Sequence, residues 1–325
     1  MSFKRLDPED FLISADSITA GAWTGNTPTL SNFATNSAQE SGTSGQYYLD
    51  VYQTGSGEPG AEVQFSISYG NKFGSGSLLF DSGITGKSPT SAIYGQFQNI
   101  VLGDENSDFI FGGETKTDFY AISINRSKYK GSLLPGSLNI TIGGKEFTDN
   151  SNDSSTVLFN EAGRVYQIVS GSNGSAHSGD GYSPNSGSYG LFLPDIGTIL
   201  LNPDALDEST SIVSTGRASN TNNENPVKLY EALEEFTVNS QENITSDYIF
   251  VRARNGEYNY SENPSFISGS TGEVLYPQLI NSPQTFITTV GLYNDANELL
   301  AVAKLSKPLK KDFTKEALIR VKLDF

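Results

Sequence analysis

The chain has 325 residues, a formal net charge of −16 and a sequence pI near 4.4, with no cysteine and a single histidine. The missing cysteines exclude disulfides, thiolate catalysis and cysteine-ligated metals; one histidine excludes a two-histidine metal site; and the acidic balance repels the phosphates that a nucleic-acid binder must hold. Mean hydropathy is −0.33, yet 16 Tyr and 19 Phe supply packing mass and 33 Gly supply turns, which points to an ordered, mainly β chain.

The opening MSFKRLDPEDFLISADSITA has two basic residues but no uninterrupted apolar run, so neither export nor a membrane segment is expected. The Asn-x-Ser/Thr triplets at Asn125, Asn139, Asn173 and Asn243 then read as ordinary turn and strand residues. Residues 1–43 form an N-terminal arm, rich in Ser, Thr, Asn and Gly after a short helical turn at Pro8, with Trp23 as its anchor.

From Gln46 the period becomes two. Tyr47, Leu49 and Val51, then Val63, Phe65, Ile67 and Tyr69, flank the turn Gly55–Gly60 and predict a hairpin. Further strands are expected at 78–80, 92–102, 108–111, 118–124, 137–142, 156–159 and 164–169. Residues 170–190, SGSNGSAHSGDGYSPNSGSYG, read as a long surface loop. LFLPDIGTILLNPDAL then reads as strand, turn, strand, and Pro226–Phe236 as one short helix with Leu229, Leu233 and Phe236 on one face. The fold class is therefore mainly β, a β-sandwich-like body over 44–245 followed by a C-terminal β-hairpin module over 246–325.

Chemical motifs are weak. DSGITGKS at 81–88 has Asp81 where a phosphate loop needs glycine, and Pro89 disfavours the helix that must follow, so a turn with a solvated Lys87 is the better reading. His177 sits in the Ser/Gly loop with no recognisable nucleophile or orienting acid. GDENSD at 103–108 lacks the glycine and terminal glutamate of a calcium loop and reads as an acidic turn. No catalytic, cofactor or metal residue is assigned, and no enzyme activity is expected.

The C-terminal module is more regular. Tyr248–Arg254 is a strand; Phe286–Tyr293 and Leu299–Leu305 alternate around the polar turn Asn294–Asn297; and Ile319, Val321, Leu323 and Phe325 share one face of a last strand. Residues 304–325 carry a balance of +4 against −20 for the rest of the chain. Lys304, Lys307, Lys310 and Lys311, with Phe325 and Trp23, are the subunit-interface candidates: the lysines either dock on an acidic neighbour, including a copy of this chain, or protect an edge strand, and the two roles are compatible.

TTVGLYNDANELLAVAKLSKPLKKDFTKEALIRVKLDF, with the upstream NYSENPSFISGSTG, resembles the C-terminal module of virion structural proteins in contractile-tailed phages, above all marine myophages related to those infecting cyanobacteria. The hairpin GLYNDANELLAVAKLSKP also resembles hairpins of tail-fibre and collar proteins, and DPEDFLISADSITAGAW, YYLDVYQTG and VLGDENSDFIFG extend the resemblance toward the N-terminus. The resemblance implies a virion protein made in the host cytoplasm, a tail or baseplate subunit in many copies that contacts other phage structural proteins and catalyses no reaction. A neck, collar or capsid-decoration protein, or a receptor- or glycan-binding tail protein, is the alternative. No nucleic-acid, membrane or cofactor partner is expected.

Overall fold

The computed structural model describes residues 4–36, 48–74, 89–153, 157–210 and 224–324. The strand expected at 78–80, the motif at 81–88, Lys87 and Phe325 lie outside the described residues. The chain is mainly β. Its strands are β1 (Phe11–Gly21), β2 (Thr29–Leu30), β3 (Tyr48–Tyr52), β4 (Val63–Asn71), β5 (Phe109–Phe111), β6 (Glu114–Lys116), β7 (Asp118–Ile124), β8 (Ser132–Leu133), β9 (Asn139–Ile142) and β10 (Lys145–Asp149). They continue as β11 (Leu158–Asn160), β12 (Gly163–Ser172), β13 (Ser175–Ala176), β14 (Gly190–Leu193), β15 (Thr198–Leu201), β16 (Leu233–Thr237), β17 (Asn239–Ala253), β18 (Gln284–Tyr293), β19 (Leu299–Asp312) and β20 (Ala317–Asp324). Short helices are α1 (Pro89–Phe97), α2 (Pro203–Thr210), α3 (Glu224–Ala232) and α4 (Gln278–Asn281).

Two compact units share this chain: a body of residues 17–242, and a terminal unit of residues 1–16 with 243–325. The expected arm of residues 1–43 is therefore divided, because Phe11–Gly21 is a strand that passes from one unit into the other.

The body's main sheet is antiparallel, in the order β2-β16-β9-β10-β12-β14-β15-β7-β4-β3 with β11 and β13 paired to β12, while β5 and β6 form a two-stranded sheet of their own and β8 pairs with β17. The expected hairpin is its last pair, with Leu49 opposite Ile67 and Val51 opposite Phe65. The central strands are buried on both faces, so their period-two side chains divide between two cores. On β7, Tyr120, Ile122 and Ile124 enter one core while Phe119 and Ala121 enter the other; on β15, Ile199 and Leu201 oppose Leu200 in the same way. The sheet curls. Phe65 on β4 and Phe236 on β16 meet edge-on with centroids 5.3 Å apart, although β9, β10, β12, β14, β15 and β7 lie between those strands in the sheet order. That closure encloses the larger core in the manner of a sandwich while leaving a single continuous sheet.

Three local expectations fail for physical reasons. Residues 92–102 are helical: α1 runs into a π-helical turn at Gln98–Leu102, closed by Gly103 at φ +67°. Tyr94, Gln98 and Val101 are its buried positions, a spacing near 3.6 rather than 2. The helix expected at Pro226–Phe236 spans Glu224–Ala232, and from Leu233 the chain becomes β16, paired with β9 and β2. There Phe236 is drawn between Trp23 and Phe65, and tertiary packing overrides the helical pattern. Residues 170–190 are not a free surface loop. β12 and β13 occupy part of it, Ser188 and Tyr189 are buried, and Gly187 at φ +82° lies so close that a Cβ would sit 2.1 Å from the Phe111 carbonyl oxygen. Glycine is there because backbone packs on backbone.

The terminal unit has a smaller core. β17 pairs with β20 from Ser246 opposite Asp324 to Ala253 opposite Ala317, and β1 lies on the other side of β17. β18 and β19 form a separate two-stranded sheet. Ile249, Leu292 and Val321 are its buried centre, flanked by Leu6, Val251, Val290, Ala301, Ala303, Ile319 and Leu323.

Candidate functional site

The β18–β19 hairpin is the surface that the cationic pattern singles out. Its turn, Asn294–Glu298, is closed by Asn294 N–H donating to the Glu298 carbonyl at 3.1 Å and by Asn294 Nδ2 donating to Glu298 Oε2 at 2.8 Å. Asn297 adopts φ +61°, a left-handed position that asparagine tolerates. In this register Val290 faces Ala303 and Leu292 faces Ala301, and these pairs turn into the core of the terminal unit. Gly291 faces Val302 and Tyr293 faces Leu299 on the opposite face, where Val302 and Leu299 are exposed. Phe286 (58% exposed) and Leu300 (68%) extend this uncovered apolar surface. Val, Leu and Tyr stand on this outer face, where polar residues would be usual.

The lysines separate into two kinds. Lys304, Lys307 and Lys310 are exposed along β19, with Lys304 opposite Thr289 and Lys310 opposite Phe286. Lys311 is 0% exposed, and its Nζ donates to the Asn255 carbonyl at 2.9 Å, Asn259 Oδ1 at 2.9 Å and the Asp312 carbonyl at 3.0 Å. It is a buried peg for the segment between β17 and α4, so as an interface cation it has to be withdrawn: its three donors are already spent. Trp23 is also internal, 2% exposed, with Nε1 donating to the Phe236 carbonyl at 2.9 Å and its ring edge-on to Phe236 at 4.8 Å. It anchors its segment, as expected, but inside the body's own core rather than at a subunit surface.

Two cavities accompany these features. One, of about 300 Å³ in the terminal unit, is lined by Tyr260, Phe266, Val274, Leu279, Ile280 and Phe313 among others. The other, of about 270 Å³ in the body, is lined by Tyr48, Ser66, Ser68, Gln96, Phe97 and Ser123 among others.

The titratable residues serve turns and ties. His177 lies 3.6 Å from Glu146 with both side chains more than half exposed. In the acidic turn, Asp104 accepts from the Asn106 amide at 2.9 Å and Ser107 Oγ at 2.8 Å, and the amide bond leads the influences holding its carboxyl below the usual range. Asp108 pairs with Lys72 at 2.6 Å. Asp149 is buried, and burial pushes its carboxyl up although the Gly136 and Ser151 amides donate to it. Arg164 grips Asp195 through Nε and Nη2, with 2.6 Å from Nη2 to Oδ1, while its amide donates to Oδ2 at 2.7 Å. Among the described residues no group of three or more His, Asp or Glu is placed to hold a metal, and no helix is long and apolar enough to cross a membrane. Compared with family models, with curated proteins and with solved structures, the chain shows no significant match.

Proposed function

We propose that this protein is a structural subunit of a contractile-tailed phage particle, a tail or baseplate component that acts through protein–protein contacts and performs no catalysis. The observation that carries the reading is the imbalance in the terminal unit. Its core is small, yet Phe11, Ile13, Ile280, Phe286, Leu300, Phe313 and Leu318 are exposed on it. Apolar side chains left in water are costly, and a neighbour that covers them removes that cost. The resemblance of residues 259–272 and 288–325 to virion proteins supplies the particle in which that neighbour would be found.

The subunit would be synthesised in the host cytoplasm and reside in the virion in several copies, touching other phage structural proteins. Purified particles should contain the chain at fixed stoichiometry by quantitative mass spectrometry; its absence from gradient-banded particles would refute the proposal. Neck, collar and capsid-decoration positions remain compatible with the same contacts. A receptor-binding role has one feature in its favour, the body cavity where the half-exposed Tyr48 ring stands beside Ser66, Ser68, Ser123 and Gln96. Aromatic faces and hydroxyls together suit a sugar. Glycan-array binding abolished by Tyr48→Ala would favour that role.

A further inference from the structure

Among the described residues no further strand pairs with the β18–β19 hairpin, and its two edges are unlike one another. β19 carries Lys304, Lys307 and Lys310 and has Pro308 within it. Its ladder is also interrupted: Ile287 pairs with Leu309 but Thr289 pairs with Lys304, which leaves residues 305–308 bulged out of register. Lysine, proline and a bulge are the means by which native sheets block an edge against a further strand. β18 has none of them. Its sequence QTFITTVGLY contains no charge and no proline. Thr285 is buried and donates through its hydroxyl to the Tyr258 carbonyl, but Thr288, Thr289, Gly291 and Tyr293 are exposed. An uncharged, proline-free edge beside a defended one marks the side on which another strand is accepted.

We infer that β18 is a self-pairing edge: two copies of this chain join β18 to β18 antiparallel about a two-fold axis near Val290, making one four-stranded sheet from two hairpins. The inference rests on the assembly reading and names the partner. Three features select a second copy. A neutral strand meets its own copy without like-charge repulsion. Antiparallel pairing sets the turn of one hairpin, with exposed Asp295 and Glu298, beside the open end of the other, where Lys310 lies one strand in from Phe286. The separation is roughly 5–10 Å, one to two strand spacings and comparable with the screening length at physiological salt. Finally, a two-fold at Val290 sets Ile287 of one copy opposite Tyr293 of the other, a β-branched residue beside an aromatic across the new strand pair.

The full-length chain should sediment as a concentration-dependent dimer. Thr289→Lys and Thr289→Glu each place like charges near the axis and should weaken dimerisation roughly tenfold or more, whereas an equimolar mixture of the two variants should restore it. Amides 288–293 of the unaltered chain should exchange more slowly as its concentration rises, a readout independent of how the variants fold. A chain that stays monomeric with exchange at 288–293 independent of concentration overturns the self-pairing edge, as does a dimer unaffected by either substitution. Neither result touches the assembly reading, which depends on incorporation into particles: a monomer that is still found in them leaves that reading standing and removes only this one.

Discussion

Replacing Lys311 with methionine tests the division of the lysines into a structural one and exposed ones. Methionine keeps the length of the side chain and removes the cost of burying an ammonium, but it leaves the Asn255 and Asp312 carbonyls and Asn259 Oδ1 without their donor. Each buried acceptor left unpaired costs about 1–3 kcal/mol, and relief of the ammonium's desolvation offsets part of the sum, so a net loss of about 2–4 kcal/mol is expected. Lys310→Met, at an exposed position, should change stability by no more than about 0.5 kcal/mol. The assay is hydrogen exchange by mass spectrometry, following peptides that cover 254–283 and 305–324. Protection there should fall in Lys311→Met and persist in Lys310→Met. Trp23, the only tryptophan, lies in the body, so its fluorescence transition reports that unit and should hold its midpoint. Wild-type protection in Lys311→Met would show that the three hydrogen bonds contribute nothing and would undo the reasoning. The same logic governs charge reversal: Lys307→Glu with Lys310→Glu probes assembly, whereas reversal at Lys311 damages the fold first.

Other consequences can be measured in the body. Trp23→Ala should cost about 3–5 kcal/mol by calorimetry, since it empties the space between Phe65 and Phe236 and orphans the Phe236 carbonyl. Gly163→Ala should cost about 1–3 kcal/mol, because Gly163 has φ +97° and a Cβ would stand 2.4 Å from Asp195 Oδ2; an unchanged melting temperature would contradict the close approach. Burial pushes the Asp195 carboxyl up, but the Arg164 side chain and amide together outweigh it and hold it below the usual range. Its contribution is therefore complete above about pH 4 and is lost as pH falls through the lowered value. The stability difference between wild type and Arg164→Met should accordingly shrink on acidification from pH 6 to pH 2, and a difference that grew instead would reverse the sign.

Strands were legible where turn residues bound a run. The run expected at 118–124 matches β7 residue for residue although both its faces are buried, and the runs at 286–293 and 299–305 sit within β18 and β19. Short apolar runs were not decided by their own pattern. Residues 92–102 satisfy a helical period as well as a strand period, and Leu233–Thr237 continue a helical stripe until the core claims Phe236 for β16. β1, with nearly every residue exposed, carries no burial signal at all. At the candidate surface Lys304, Lys307 and Lys310 are exposed, but Lys311 differs from Lys310 only in the direction its side chain takes, which depends on a segment 52–56 residues away. The asymmetry of the hairpin's two edges required the register, since a bulge opposite Thr288 has no local signature.

The central claim is that exposed apolar and strand-edge surface in the terminal unit exists to be covered by neighbouring subunits. Cryo-electron microscopy of intact particles tests it most directly. The account predicts density for this chain in the tail or baseplate, with Phe286, Leu299 and Val302 buried against another subunit. Density in which the β18–β19 hairpin projects into solvent with those side chains bare, or particles that lack the chain altogether, would contradict it.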